Sequence, residues 1–535
     1  GSHIIDAIAG IRANPNGCPE QIISSTYPTV LLLQYERAGG RLSAAVKQRA
    51  VRDLGLSCLR LTSFSLAGGG FAYWRDGEPN LALTAYALRF LMAARDFTAI
   101  DEELIRRAAR ALFARQAADG HWPAHRYLKE DQEDIRQSIS LTAWITRILA
   151  DLKDAEGVFP PVLPIDSKQG RTIHTCLENA GTYLGRTWDR TSDPYVIALY
   201  GQAALRLGQT EEAERAVKRL VELAKREGTT AYWTLETNSV FWGWGRAGRL
   251  ETTALVVQTL SAARGVKPTP AVDPDEIRRW RDGGAQFLMR NKDRWGIWLT
   301  GQATVLALEA LVGLLPPVTG SAEDGNRVGP LQVRLNGRLI EPARDMSDET
   351  RGGPLRFDLS PHLRCGSNDL RLVSHQGAST PLALLSSSWY EPWSLARSVD
   401  SGVNSNTRLG LEVSFDRNAA ARGESIECKV KVDRIGFSGY GMLLAEVGLP
   451  PGVDVDRASL EAARDVAGWA LASYEVLPDR IAMYLWPQAG GINFAFKFKP
   501  RIGMVAKSVR SVLYDYYNPD LRVVLAPQLF QVRGQ

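Results

Sequence analysis

The sequence predicts a multidomain chain in which an all-α toroid of the α6/α6 kind is followed by two all-β domains. Three observations carry that expectation. An apolar helical segment recurs six times, amphipathic charged stretches lie between the recurrences, and the hydrophobic period changes from helical to alternating after Leu315-Pro316-Pro317. A length of 535 residues also exceeds what one hydrophobic core serves.

The chain opens on Gly1-Ser2-His3, which reads as the scar of a cleaved tag, and helix-like sequence begins at once. Residues 4 onward are therefore expected to be a piece of a longer protein. The recurring segments are Pro28-Thr29-Val30-Leu31-Leu32, Leu83-Thr84-Ala85-Tyr86-Ala87-Leu88, Leu141-Thr142-Ala143-Trp144-Ile145, Val196-Ile197-Ala198-Leu199, Thr252-Thr253-Ala254-Leu255-Val256 and Ala303-Thr304-Val305-Leu306-Ala307-Leu308. Anchored on positions 29, 84, 142, 197, 253 and 304, they return every 51 to 58 residues. Each is apolar almost all round, as in a helix buried on every side, whereas 102–116 and 210–226 are amphipathic. Inner and outer helices should alternate over 4–318. Six such pairs close on themselves instead of leaving two ends to cap. The connections, such as Gly68-Gly69-Gly70-Phe71-Ala72-Tyr73-Trp74 and Asp119-Gly120-His121-Trp122, are rich in glycine and aromatics, whose rings are expected to pack loop ends onto the toroid.

Beyond the Pro-Pro pair, 319–400 is assigned to a first β-domain with strands at 331–335 and 370–373. Residues 401–535 form the second, a β-sandwich. Seven-residue alternation marks strands at 409–415 and 426–432, more strands follow at 480–486, 492–498 and 521–525, and one short helix interrupts at 458–464.

Composition excludes several classes. Apolar content of 45% and charged content of 23% are those of ordinary globular protein. No apolar run is long enough to span a bilayer, and no signal peptide opens the chain. The net charge of +5 comes from 64 basic and 59 acidic residues interspersed along the chain, so no nucleic-acid partner is expected. Five cysteines, at 18, 58, 176, 365 and 428, are too scattered for a disulfide scaffold, and none forms a C-x-x-C pair. No metal or other cofactor is expected. An odd number leaves at least one thiol without an intramolecular partner, and Cys18 is the candidate.

Cys18 stands in Gly17-Cys18-Pro19-Glu20-Gln21, just before the first buried helix. At i and i+3, a tight turn brings the thiol and the Gln21 carboxamide together, and loss of ammonia would join them as a thioester. With a thiol pKa near ~8.5, thiolate is a far better leaving group than an alkoxide, so the acyl carbon of Gln21 would accept a passing amine or hydroxyl. Water would do the same, and the bond must be screened. Taken alone the motif also describes a helix N-terminus with a buried thiol.

In context the segment resembles the thioester signature of the alpha-2-macroglobulin and complement family, usually Gly-Cys-Gly-Glu-Gln; Pro19 departs from it, fixing φ near −65° and removing one N–H. Thr300-Gly301-Gln302-Ala303-Thr304-Val305-Leu306-Ala307-Leu308 and the repeated Leu-Thr-Ala helices resemble the family's thioester domain. At the far end, 442–454 (MLLAEVGLPPGVD), Tyr474-Glu475-Val476 with Arg480-Ile481-Ala482-Met483-Tyr484-Leu485, and Val512-Leu513-Tyr514-Asp515-Tyr516-Tyr517-Asn518-Pro519 resemble its receptor-binding domain. Residues 319–400 then occupy the place of a CUB-like domain, incomplete because its upstream half is missing.

The resemblance implies single-use covalent capture, not enzymatic turnover, in a broad-spectrum protease-trapping or defence protein. The targets would be nucleophiles on proteases or on cell surfaces, and macroglobulin domains of the same protein would lie upstream. It implies aromatic shielding of the thioester, for which Phe71, Tyr73, Tyr516 and Tyr517 are the candidates. It also implies a secreted or periplasmic location, with a membrane anchor in the missing upstream part as one form. Hydroxyl-preferring relatives use a loop histidine as an intermediate nucleophile. Here that loop, 119–140, holds His121 and His125, and ungapped matching puts Glu130 at the histidine's place. His125 is the catalytic candidate on the strength of its near-neutral pKa, while direct transfer to amines such as lysine is the expected chemistry. Two other readings remain open at this point: a structural or binding module with an unused motif, and a toroid enzyme of the terpene-cyclase type, against which stands the lack of an Asp-x-Asp-Asp motif.

Overall fold

The computed structural model describes residues 8, 17–40, 42–74, 77–125, 133–154, 172–188, 191–263, 273–292, 297–314, 331–344, 357–374, 385, 392–393, 403–404, 409–434, 442–486 and 490–534. Gly1-Ser2-His3, Glu130 and the Leu315-Pro316-Pro317 boundary lie outside these.

The helical part comprises α1 (Pro19–Arg37), α2 (Ala44–Thr62), α3 (Leu81–Ala94), α4 (Glu102–Ala114), α5 (Ile135–Leu152), α6 (Ile173–Thr187), α7 (Pro194–Leu207), α8 (Thr210–Glu222), α9 (Gly245–Ala262), α10 (Pro274–Arg290) and α11 (Gly301–Val312). The odd-numbered helices form the inner ring: each packs on the next, and α11 returns to α1, closing the circle. The even-numbered helices are amphipathic and lie outside. Helix starts follow their sequence signals, since Asn80, Asp101, Asp134, Asp193, Asp273 and Thr300 each accept an N–H of the first turn.

The recurring threonine ties this architecture together. Oγ1 of Thr84, Thr142, Thr253 and Thr304 accepts the backbone N–H of Phe71, Trp122, Trp233 and Trp298 at 2.9 to 3.1 Å. The indoles of Trp122, Trp233 and Trp298 donate to the carbonyls of Leu112, Leu220 and Leu288 at 2.6 to 2.7 Å, near the C-terminal ends of the preceding outer helices. Each of the three tryptophan connections thus docks on the end of an outer helix with its indole N–H satisfied while buried.

A second regularity lies five residues past the repeat anchor, where α3, α5, α7, α9 and α11 carry Arg89, Arg147, Gln202, Gln258 and Glu309. These polar side chains meet inside the ring. Arg147 donates to Gln202 Oε1 at 2.9 Å and to Gln258 Oε1 at 3.3 Å. Arg89 pairs with Glu309 and lies over the Tyr27 ring of α1, with 5.1 Å from guanidinium carbon to ring centroid. All six inner helices therefore contribute to one buried polar layer.

A hairpin of β1 (Lys225–Glu227) and β2 (Thr230–Tyr232) ends the predicted 210–226 helical stretch early. Past the toroid, β3 (Leu331–Leu335), β4 (Arg338–Arg344) and β5 (Leu370–Ser374) form a three-stranded antiparallel sheet of order β4-β3-β5, with Val333 buried against Ile340, Phe357, Leu359 and Leu370.

The remaining strands are β6 (Val403–Asn404), β7 (Leu409–Phe415), β8 (Ala419–Ala421), β9 (Ile426–Arg434), β10 (Leu443–Gly448), β11 (Val453–Val455), β12 (Leu471–Val476), β13 (Arg480–Leu485), β14 (Ile492–Pro500), β15 (Met504–Lys507), β16 (Ser511–Asp515), β17 (Asn518–Leu525) and β18 (Leu529–Arg533). They build sheets of order β12-β13-β10-β16-β17 and β11-β14-β9-β7-β6, with a small β15-β18-β8 sheet. Alternation along β9 and β14 turns Ile426, Cys428, Val430, Phe494, Phe496 and Phe498 into the shared core. The predicted short helix is present as α12 (Arg457–Ala467), packed on β14 and β12. Among the described residues no helix is long and apolar enough to cross a membrane.

The polar layer yields a stability prediction. Arg89→Met strands the buried Glu309 charge and is expected to cost about 3–5 kcal/mol, whereas Arg89→Met with Glu309→Met recovers most of that loss. Denaturant unfolding of the three proteins measures it; equal losses in single and double variants would show that the pair is not coupled.

Candidate functional site

Cys18 is the N-cap of α1 and Pro19 its first residue. That position explains the proline: the N–H it lacks is one that a helix start leaves unpaired, and its fixed φ is already helical. Gln21, at N3, folds back so that Oε1 accepts the Cys18 N–H at 2.9 Å, while the Cys18 sulfur faces the N–H groups of Glu20 and Gln21. Gly17 sits at φ +92°, and a Cβ there would lie 2.1 Å from Gln21 Oε1. Any other residue would push the carboxamide off the cysteine.

The C-terminal sandwich closes over this turn. Tyr516 and Tyr517 occupy the turn between β16 and β17, not the edge strand that their sequence also suits. The Tyr516 hydroxyl donates to Glu20 Oε2 at 3.1 Å and lies near enough to the Cys18 thiol to draw its pKa down. Tyr484 of β13 lies beside the Cys18–Gln21 turn, where both residues act on its pKa, and it meets the Trp74 ring edge-on at 5.3 Å. Tyr73 packs on Trp486 at 6.5 Å, and its hydroxyl lies 3.4 Å from that of Tyr517. Asp515 anchors the turn: it accepts Arg434 at 2.6 Å, the Tyr517 N–H at 3.0 Å and the Trp244 indole of the toroid at 3.4 Å. Met442, Leu444, Tyr484 and Tyr517 of the sandwich join the apolar cluster of the toroid.

The result is a dry thiol. Cys18 has 0% exposure, and burial pushes its pKa up to about 12, with Glu20 adding to the shift and hydrogen bonds from Gln21, Glu20 and Tyr516 opposing it. None of the five cysteines is in a disulfide, and no cluster able to hold a metal occurs among the described residues.

Of the residues nominated from sequence, Cys18, Gln21 and Tyr516 come together directly, with Tyr517 and Tyr73 one contact further out. Phe71 lies in the toroid core with its N–H on Thr84. His121 is held between Asp119 and Glu133. His125 lines a cavity of about 200 Å³ with Asn80, Arg115, Gln137 and Trp242; burial holds its imidazole below the ordinary pKa, and Glu78 opposes this. The side chains that act on Cys18 are instead Glu20 and Tyr516. Tyr484, Trp74, Trp486, Trp244 and Asp515 escaped sequence reasoning, because no spacing signals a contact between positions hundreds of residues apart.

The family model for the A-macroglobulin TED domain matches residues 3–313, and that for the A-macroglobulin receptor binding domain matches 439–526. The chain belongs to the alpha-2-macroglobulin family. Among its relatives, thioester-containing protein 1 allele S1 of Anopheles gambiae is 21% identical over 531 residues, which is 97% of this chain and 35% of that protein. The chain thus spans about a third of that relative's length. Native alpha-2-macroglobulin of Escherichia coli, solved from domain MG7 to the C-terminus, shares the fold with a TM-score of 0.62 at 15% identity, over 99% of this chain and 75% of that one. Salmonella alpha-2-macroglobulin reacted with methylamine gives a TM-score of 0.61 at 14% identity, over 99% and 31%.

A second buried carboxyl, Glu251 of α9, lies close enough to feel the charge on Glu20. Burial lifts it to about 8, with Ser239 opposing and Glu20 reinforcing. A raised carboxyl pKa means that the folded chain holds a proton the unfolded chain has lost. Stability is therefore greatest in acid and declines as pH rises from the unfolded value of ~4.3 towards 8. Glu251→Gln should flatten this decline, by up to about 4 kcal/mol between pH 5 and 8; parallel stability curves for wild type and variant would contradict the assignment.

Proposed function

We propose that Cys18 and Gln21 join as an internal thioester and that this chain is the capturing end of a larger protease-trapping or defence protein. The observation that carries the reading is the Gln21 carboxamide held on Cys18 at 2.9 Å beneath an aromatic cover supplied by the other end of the chain. Loss of ammonia would leave Gln21 as an acyl group on sulfur. Displacement of the sandwich would then admit a nucleophile to the acyl carbon, with the Cys18 thiolate leaving. The product is one covalent bond per molecule.

Proteases or surfaces bearing lysine are the partners this chemistry suits, and the upstream macroglobulin domains of the same protein would bring them to the site. The β4-β3-β5 sheet fits part of a CUB-type domain between toroid and sandwich. A secreted or periplasmic location follows from the targets.

Intact mass spectrometry should show one ammonia fewer than the sequence requires, with methylamine restoring mass at Gln21 and freeing one thiol; Cys18→Ala should show the full mass. An unmodified mass with Cys18 freely alkylated in full-length protein would leave only a structural module. For the nucleophile, methylamine should label Gln21 equally in wild type and His125→Ala, with glycerol incorporated poorly in both. Efficient glycerol ester formation that vanishes in His125→Ala would instead assign the histidine an intermediate role.

A further inference from the structure

Glu20 is the part of the motif that the proposed bond does not use, and its surroundings are unlike those of a capping carboxylate. It is 2% exposed. Oε1 accepts Ser24 Oγ at 3.0 Å and Gln302 Nε2 at 2.9 Å, one from α1 and one from α11. Ser24 is fixed in turn by the Tyr86 hydroxyl of α3 at 3.2 Å. These contacts set the carboxyl plane and leave Oε2 with one partner among the described residues, the Tyr516 hydroxyl at 3.1 Å. That partner belongs to the domain whose departure would open the site.

The hydroxyl donates to Glu20 Oε2 and lies near enough to the Cys18 thiol to draw its pKa down, so it stands where an attacking O–H or N–H would stand beside the scissile C–S bond. We propose that Glu20 accepts the proton of the incoming nucleophile during acyl transfer, and that Tyr516 occupies the receiving oxygen until the sandwich moves away. This rests on the thioester reading and deepens it. In the step, the nucleophile's N or O bonds to Gln21 Cδ while its proton passes to Glu20 Oε2. The C–S bond breaks, the electron pair leaves on Cys18 Sγ, and the proton passes on to the thiolate. An amine and a thioester become an amide and a thiol, and Glu20 is regenerated.

Docking would then control chemistry as well as access. In the closed chain burial holds the Glu20 carboxyl above the usual carboxylate range, against the hydrogen bonds from Gln302, Ser24 and Tyr516. The titratable groups facing it are Cys18, Tyr86 of α3, Glu251 of α9, and Tyr516 and Tyr517 of the sandwich. Removing Tyr516 hydrates Oε2 and favours the carboxylate that general-base catalysis needs.

The test uses nucleophiles that differ in whether a proton must leave. Thioester content is first set by intact mass in the full chain. Tyr516→Ala, alone and with Glu20→Gln, is then exposed to glycerol, to methylamine and, at pH 9, to 2-mercaptoethanol, whose thiolate has no proton to lose. The expected result is a loss of about 10²-fold in glycerol and methylamine transfer on adding Glu20→Gln, with thiolate exchange changed less than about threefold. Equal losses for all three nucleophiles, or no loss in any, would overturn the proposal and leave Glu20 a positioning residue. Should Glu20→Gln not acquire the bond, the pH profile of glycerol transfer in Tyr516→Ala decides. A plateau above one ionisation in the carboxylate range supports the base, and a rate proportional to hydroxide from pH 5 to 9 overturns it. A wild-type mass with no ammonia missing would defeat the thioester reading itself, a failure distinct from the others.

Discussion

Tyr516 reaches from the turn between β16 and β17 to Glu20, 496 residues away in sequence, and the rest of the proposed site depends on that contact. An acyl group on sulfur lasts only where water is kept from it. Here water is excluded from two directions: the inner helices pack beneath Cys18, and a folded C-terminal sandwich sits above it. Asp515 ties the cover to the toroid, because the carboxylate that orders the Tyr516-Tyr517 turn also accepts the Trp244 indole from the toroid. Under the proposed capture, this division puts the shield on one domain and the Cys18–Gln21 turn on another.

The toroid supplies the rigidity which that division requires. Its inner helices look uniformly apolar in sequence, yet each carries a polar or aromatic-polar residue into a common layer where Arg147 bonds Gln202 and Gln258, and Arg89 pairs with Glu309 over the Tyr27 ring. Such a layer is an expensive way to stabilise a core, but it fixes register: sliding one inner helix by a turn would bury a guanidinium or a carboxylate without its partner. The threonine-to-aromatic bonds set the loops in the same way at the opposite end of the repeat. The N-terminus of α1 thereby receives a fixed platform.

Much of this was legible in the sequence, and the limit has a physical cause. The period of 51 to 58 residues showed the six inner helices because burial on every side leaves an unmistakable apolar signature. Strands such as β7, β9 and β14 alternate cleanly because one face of each is core. Short or edge elements, β8, β11 and β15 among them, carry too little pattern to announce themselves. At the site, Gly17, Cys18 and Gln21 could be read because their chemistry is local. The roles of Tyr484, Trp486, Trp244 and Asp515 could not, since they arise only when two domains meet. Glu20 was in view throughout as part of the motif, but its burial and its link to Tyr516 exist only in three dimensions.

In this proposal, docking of the sandwich keeps the Cys18–Gln21 bond intact. Its most direct test is the lifetime of the methylamine-sensitive bond in the full chain compared with Trp486→Ala, a change that removes a ring set edge-on to Tyr73 but touches neither Cys18 nor Glu20. The account predicts a shorter lifetime in the variant, by about tenfold if the lost ring contact weakens docking by about 1.4 kcal/mol. Equal lifetimes in the two proteins would contradict it.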